Sequence, residues 1–167
     1  MVKRRVQIGR IHEMLRYDAE TGRFFWRVKT ALRAAGDRAG FLDGNGHRRI
    51  GIDGKRYWAH HLVWFIETGK WPLMIDHING QPDDNRIENL RVCTRLQNQR
   101  NVKRHRDNTS GFKGVFWIES QKRFHARITT DGKAEHLGSF VSAVDAARAY
   151  DAAAVALHGE FARLNGA

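Results

Sequence analysis

Hydrophobic positions recur with two periods along this chain, and the switches between them mark its elements. Near the start, "GRIHEMLRYDAETGRFFWRV" gives a short helix, a turn at Glu20-Thr21-Gly22 and a strand through Phe24-Phe25-Trp26. In "HRRIGIDGKRYWAHHLVWFIETG" two alternating runs flank Asp53-Gly54, the strongest short hairpin signal. From His60 to Ile66 the period becomes helical, with Leu62, Val63, Phe65 and Ile66 apolar, and Gly69 and Pro72 end the run. Leu73–His77 reads as a short strand whose apolar start, Leu73-Met74-Ile75, is buried. After a turn over Gly80–Asp84, Ile87, Leu90 and Val92 suggest a second strand, and Arg95–Val102 a short helix.

The pattern then breaks. "QRNVKRHRDNTS" has no apolar periodicity and reads as an exposed basic linker ending in turn residues. Beyond it, "GFKGVFWI", "RFHARITT" and "EHLGSF" are three short strands separated by turns at Glu119–Lys122 and Asp131-Gly132-Lys133. A helix follows, with Ser142 as its N-cap, an alanine-rich body and Gly159 just past its end. Val144, Ala147, Tyr150, Ala154 and Leu157 line the face expected to pack on the sheet. The fold class is therefore α+β, in two domains: 1–102, then a linker at 103–110, then a three-stranded antiparallel sheet on one helix at 111–167.

Charge narrows the choice of partner. The net charge of +11 and a pI near 10.5 point to a polyanion, most simply nucleic acid. The linker is strongly basic, with four Lys/Arg against one Asp over 99–110. A single cysteine, Cys93, excludes an internal disulfide framework and a Cys-rich zinc site, and reads as a buried thiol. The N-terminus has no apolar signal core and no run reaches membrane-spanning length, so a reducing cytosol-like compartment is expected.

The chemistry concentrates where the Leu73–His77 strand ends. Cutting a phosphodiester requires a proton to leave water and charge to be neutralised on the phosphorus oxygens and the leaving oxygen; a histidine base and one divalent metal do both. Asp76 offers a hard oxygen suited to Mg2+ or Mn2+, and His77, its neighbour on an extended chain, points the other way. Asn98 and Asn101 lie where the chain could return to supply a second oxygen.

"DHINGQPDDNRIENLRVCTRLQNQRN" resembles the HNH endonuclease motif, in the phage and homing-endonuclease branch whose third motif residue is Asn. Asp76-His77, Asn79-Gly80, Asp84-Asn85-Arg86, Asn89-Leu90-Arg91 and Asn98 stand in that order, and "YDAETGRFFWR" and "GHRRIGIDGKRYWAHHLVWFIETGKWP" extend the likeness upstream. The resemblance implies a ββα-metal site in which His77 is the general base, Asp76 and Asn98 hold the metal, and Asn89 ties the loop between the strands and helps orient His77. Asn101 is the alternative to Asn98. His60 matches the family's helix histidine, with His61 in place of the usual Arg; its other reading is a packed helix residue.

In "RFHARITT", alternation puts Phe124, Ala126 and Ile128 on one face and Arg123, His125, Arg127 and Thr129 on the other. The segment 111–165 is similar to the Apetala-two/ethylene-response-factor DNA-binding domain, most specifically in "LGSF", "AARAYDAAA" and "GEFARLN". That likeness implies a sheet that reads duplex DNA and a helix that supports it, with Lys113, Arg123, Arg127, Thr129 and His136 at contact positions. Phe116 and His136 depart from the family's Arg and Trp, so base preference does not carry over. Arg100, Lys103, Arg104 and Arg106 are expected to run along phosphates.

Together these readings imply a metal-dependent endonuclease acting on duplex DNA, targeted by its C-terminal domain, in a bacterial or phage-infected cytosol. The rival from another class is a DNA-binding regulator with an inactive nuclease fold, against which the intact Asp76, His77 and Asn98 argue. An RNA-binding module is the third reading.

Overall fold

The computed structural model describes residues 5–29, 33–101, 108–130 and 132–166. The chain forms two compact units, Met1–Cys93 and Thr94–Ala167. Both mix helices with small antiparallel sheets, and no helix among the described residues is long and apolar enough to cross a membrane.

In the first unit, helix α1 (Ile8–Met14) leads into a hairpin of β1 (Leu15–Asp18) and β2 (Arg23–Trp26). A second sheet orders β3 (Phe41–Leu42), β4 (Arg48–Ile52) and β5 (Lys55–Trp58), with β4 and β5 joined at Asp53-Gly54. Strand β4 alternates strictly: Arg48, Ile50 and Ile52 are buried, Arg49 and Gly51 are not. Helix α2 (Ala59–Thr68) lays Ala59, Leu62 and Val63 on that core and stops at Gly69. The core joins Ile11, Leu15, Phe24 and Trp26 to these residues and reaches Ile75 and Leu90 on the last pair of strands, β6 (Ile75–His77) and β7 (Leu90–Val92).

Several elements differ from the sequence reading. Leu73 is 93% exposed, so the buried strand starts at Ile75. An apolar run shows that burial occurs nearby but not where pairing begins, and here the first cross-strand bond is from Cys93 N to Met74 O. Ile87 belongs to a 3-10 turn, Ile87–Asn89, rather than to the second strand. Strands β1 and β3 were not expected; each is short and carries polar residues or an exposed face. Cys93 is buried as expected, and burial pushes its thiol up to about 11.

The second unit opens with α3 (Arg95–Arg100), whose Thr94 and Gln97 form a reciprocal capping box. A sheet of β8 (Val115–Ile118), β9 (Arg123–Thr130) and β10 (Lys133–Phe140) follows in the order β10-β9-β8. Helix α4 (Ala143–His158) packs on it, capped by the Ser142 hydroxyl, which accepts from Val144 N at 3.1 Å. Phe124, Ala126 and Ile128 face the helix while Arg123, Arg127 and Thr129 are exposed. The packed stripe of α4 is Ala146, Ala147, Tyr150, Ala154 and His158; Val144 and Leu157 are 38% and 41% exposed, against expectation. Alanine on nearly every side of the helix left that stripe's rotation underdetermined. The tail is pinned back: Asn165 accepts from Lys113 N at 2.7 Å, and Asp151 accepts from Asn165 N at 2.8 Å.

Gly114 lets the start of β8 meet the helix. It has φ +73°, and a Cβ there would lie 2.1 Å from the Tyr150 ring and 2.7 Å from the Arg127 carbonyl oxygen. Gly114→Ala should destabilise the second unit by roughly 3 kcal/mol, from a left-handed backbone plus overpacking. Urea unfolding followed in the segment 94–167 checks this; a loss below a few tenths of a kcal/mol contradicts it.

Candidate nuclease site

All three residues of β6 are buried, so Asp76 and His77 are held by strand pairing: Asp76 lies opposite Arg91 and His77 opposite Leu90. Asp76 and His77 are each 5% exposed. Burying a carboxylate demands a partner. Arg91 supplies it, donating through Nε at 2.9 Å and Nη2 at 2.7 Å to Asp76 Oδ2.

The loop from Ile78 to Asn89 is built from side-chain amides. Asn89 Oδ1 accepts from Asn79 N at 3.0 Å, and its Nδ2 donates to the Asp84 carbonyl at 2.8 Å. Asp84 accepts from the Arg86 guanidinium and from Asn79, and Arg86 first, then Asn79, hold its carboxyl down to about 2. Burial would raise the Asp83 carboxyl, but Arg48 and Arg38, both donating to it, outweigh that and keep it low.

Asn85 sits within this frame at 1% exposure, with its Oδ1 3.1 Å from His77 Nε2. Its Nδ2 points to the Asp83 carbonyl at 3.3 Å, which fixes the amide's orientation. An amide oxygen only accepts, so His77 Nε2 carries the proton and Nδ1 carries the lone pair. The Asn85 backbone is held as well: its carbonyl accepts from the Tyr17 hydroxyl at 3.2 Å. Gly22, with φ +67°, brings the β1–β2 turn so close that a Cβ would lie 2.4 Å from Arg86 N and 2.6 Å from Asn85 C.

Around His77 the other rings are imidazoles. His60, from the first turn of α2, lies 5.0 Å away between centroids, and His47, just before β4, lies 5.6 Å away. His47 and His60 are 5.5 Å apart, and Trp58 touches both. His60 is 6% exposed, and its Nδ1 has no hydrogen-bond partner among the described residues. Burial, then the neighbouring histidines, press its pKa down to about 2, so it stays neutral. Burial also lowers His77, with the Asn85 hydrogen bond opposing.

The sequence-predicted residues thus fall into three groups. Asp76, His77, Asn89 and His60 come together in the first unit. Asn98 (half-buried) and Asn101 (6% exposed) belong to α3 and its C-cap in the second unit. In that unit Arg123, Arg127, Thr129 and His136 are exposed on the sheet, with Arg127 stacked over Phe116 at 5.3 Å. Lys113 is different: its amine donates to the Arg100 carbonyl at 2.6 Å, and burial draws its pKa down to about 8. Lys103, Arg104 and Arg106 lie outside the described residues.

Sequence reasoning missed three residues. Asn85, not Asn89, is the amide in hydrogen-bond reach of His77, although the same motif run contained it. Arg91 stood in "NLR" with no role assigned, though strand pairing with Asp76 would have found it. His47 carried no local signal, because its importance comes from a long-range approach.

The oxygen donors here are hard. A carboxylate with an amide oxygen suits Mg2+ or Mn2+, which keep several waters and need only one or two protein ligands. Among the described residues no three His, Cys, Asp or Glu side chains form a ready metal cage. An ion that keeps most of its waters needs no such cage, and the Asp76 carboxylate is a donor of the right kind for it.

Known proteins give two matches. A family model described as HNH endonuclease matches residues 57–100. Protein 3.8 of Escherichia phage T7 is 34% identical over 106 residues, which is 62% of this chain and 87% of that protein. No solved structure matches the chain.

Neutral burial of His60 predicts acid lability. The unfolded chain takes up a proton near the ordinary histidine value of 6.5, and the folded chain does so only near 2. Stability is therefore complete above about pH 6.5 and falls by up to about 1.4 kcal/mol per pH unit below it from this residue. Urea unfolding between pH 7.5 and 5 should show that slope, and H60F should make it shallower by about one proton. An unchanged slope in H60F contradicts the reading.

Proposed function

The chain contains an HNH endonuclease domain and belongs to the family of phage T7 Protein 3.8, and from that premise we propose that it is a metal-dependent endonuclease hydrolysing phosphodiester bonds in duplex DNA. The observation that carries this reading is the clamp on His77, whose Nε2 is committed to Asn85 so that Nδ1 bears the lone pair. A base needs a defined lone pair and a fixed ring plane before water arrives. His77 Nδ1 takes the proton of the attacking water. Asp76 and Asn98, with Asn101 as the alternative to Asn98, would hold a divalent ion, Mg2+ or Mn2+, completing a ββα-metal arrangement. When bound, the ion neutralises charge on the phosphorus oxygens and the leaving oxygen. Asn89 keeps the loop closed, and His60 walls one side of the base with a ring that stays neutral. Arg91 balances the buried Asp76 carboxylate, which removing that arginine would leave uncompensated.

The second unit is the targeting module. Arg123, Arg127, Thr129 and His136 present a basic sheet face to duplex DNA, while α4 supports the sheet from behind. Arg100, Lys103, Arg104 and Arg106 add phosphate contacts without reading sequence.

Plasmid cleavage with Mg2+ or Mn2+, and none in excess chelator, is the primary test. H77A should abolish cleavage and keep duplex binding within a few-fold, because a base acts on the transition state. N85A should lower kcat by about 10²-fold while D76A mimics the chelator. Full cleavage in chelator, or wild-type rates from H77A, contradicts the mechanism. For the targeting role, the isolated segment 94–167 should bind duplex DNA, and Arg127→Ala should weaken it; a folded segment with no duplex binding even at low salt would reject that role.

A further inference from the structure

The arginines around the nuclease site are almost all spent. Arg38 and Arg48 donate to Asp83, Arg86 to Asp84 and Arg91 to Asp76, each at 2.9 Å or closer. Arg49 has no such bond to a carboxylate among the described residues. Its nearest carboxylate oxygen, Asp43 Oδ2, is 3.7 Å from Nε, and that nitrogen has no hydrogen-bond partner among the described residues. The other oxygen, Asp43 Oδ1, accepts from the backbone of Asn45 and His47, each at 3.0 Å, which fixes the carboxylate with Oδ2 beyond hydrogen-bond distance of Arg49 Nε. The Arg49 guanidinium lies 3.9 Å over the Trp58 ring, its opposite neighbour on β5, and the side chain is 37% exposed. Stacking holds a guanidinium flat while leaving its edges able to donate.

Strand alternation puts Arg49 on the same face as His47, which packs against the base. Arg48, Ile50 and Ile52 turn inward, so His47 and Arg49 share the opposite face, about 7 Å apart along the strand. His47 packs against His77 and is half-buried where His60 and His77 are buried, so of these three histidines it is the one that meets solvent. A half-exposed imidazole beside the base and, on the same strand face, a guanidinium without a carboxylate at hydrogen-bond distance are spaced like neighbouring phosphates on one strand.

We propose that His47 and Arg49 form a phosphate grip in the nuclease unit, with His47 on the phosphate being cut and Arg49 on its neighbour in the same strand. The grip deepens the nuclease reading, from which it takes its substrate, and both residues lie outside the matched segment 57–100. It assigns DNA contacts to the first unit independently of the sheet in the second.

The test is duplex binding by the full chain in excess chelator, so that no cleavage intervenes, across a salt series. R49Q should weaken binding about tenfold and lower the slope of log K against log salt by about one, the signature of one lost phosphate contact. R49K should restore the slope. H47F, which keeps the ring packing and removes the hydrogen-bonding nitrogens, should weaken binding at least threefold with an unchanged unfolding temperature. A slope change in R49Q with no cleavage by the wild-type protein supports the grip and rejects the nuclease reading. An unchanged slope in folded R49Q overturns the grip; should R49Q fail to fold, an unchanged affinity in H47F overturns it instead.

Discussion

Asn85 is an amide buried to 1% exposure and committed at both ends, its nitrogen to the Asp83 carbonyl and its oxygen to His77. Leaving either end unsatisfied there would cost about 1–3 kcal/mol, so the surroundings are built to satisfy both. Asp83 is fixed by two arginines, the Asn85 carbonyl by Tyr17, and the approach of the β1–β2 turn by Gly22. The hairpin, the central sheet and the loop before β7 thus converge on one proton, the one on His77 Nε2. The catalytic proposal follows from which nitrogen is left with the lone pair.

How much of this was legible depended on distance along the chain. The Asp76-His77 step, the Asn89 loop and the α2 histidine could be read because motif spacing places them within one short segment. Asn85 was inside that segment, but a run of crowded amides does not say which one reaches the histidine. His47 and Arg49 were not legible, because their meaning comes from β4 packing beside α2 and β6. The same limit appears in the fold. Asp53-Gly54 and Ser142 act locally and were correctly read, whereas Leu73 and the packed face of α4 depended on partners that periodicity does not specify.

Charge is divided by use. In the first unit most arginines near the site neutralise buried or half-buried carboxylates and so make the loop possible. In the second, exposed arginines on β9 have no carboxylate hydrogen-bonded to them among the described residues, and Lys113 is drawn inward to cap the last carbonyl of α3. Basic residues thus neutralise carboxylates within the first unit and stand exposed on the sheet of the second, where the proposed function puts duplex DNA, and net charge alone could not separate the two.

The most direct test of the central claim is the tautomer of His77, read from long-range proton–nitrogen correlations in the full chain labelled with 15N at histidine. At pH 7.5 the account predicts a protonated Nε2 and a bare Nδ1, with the bias lost in Asn85→Ala. A proton resident on Nδ1, or a tautomer unaffected by removing Asn85, would contradict the account.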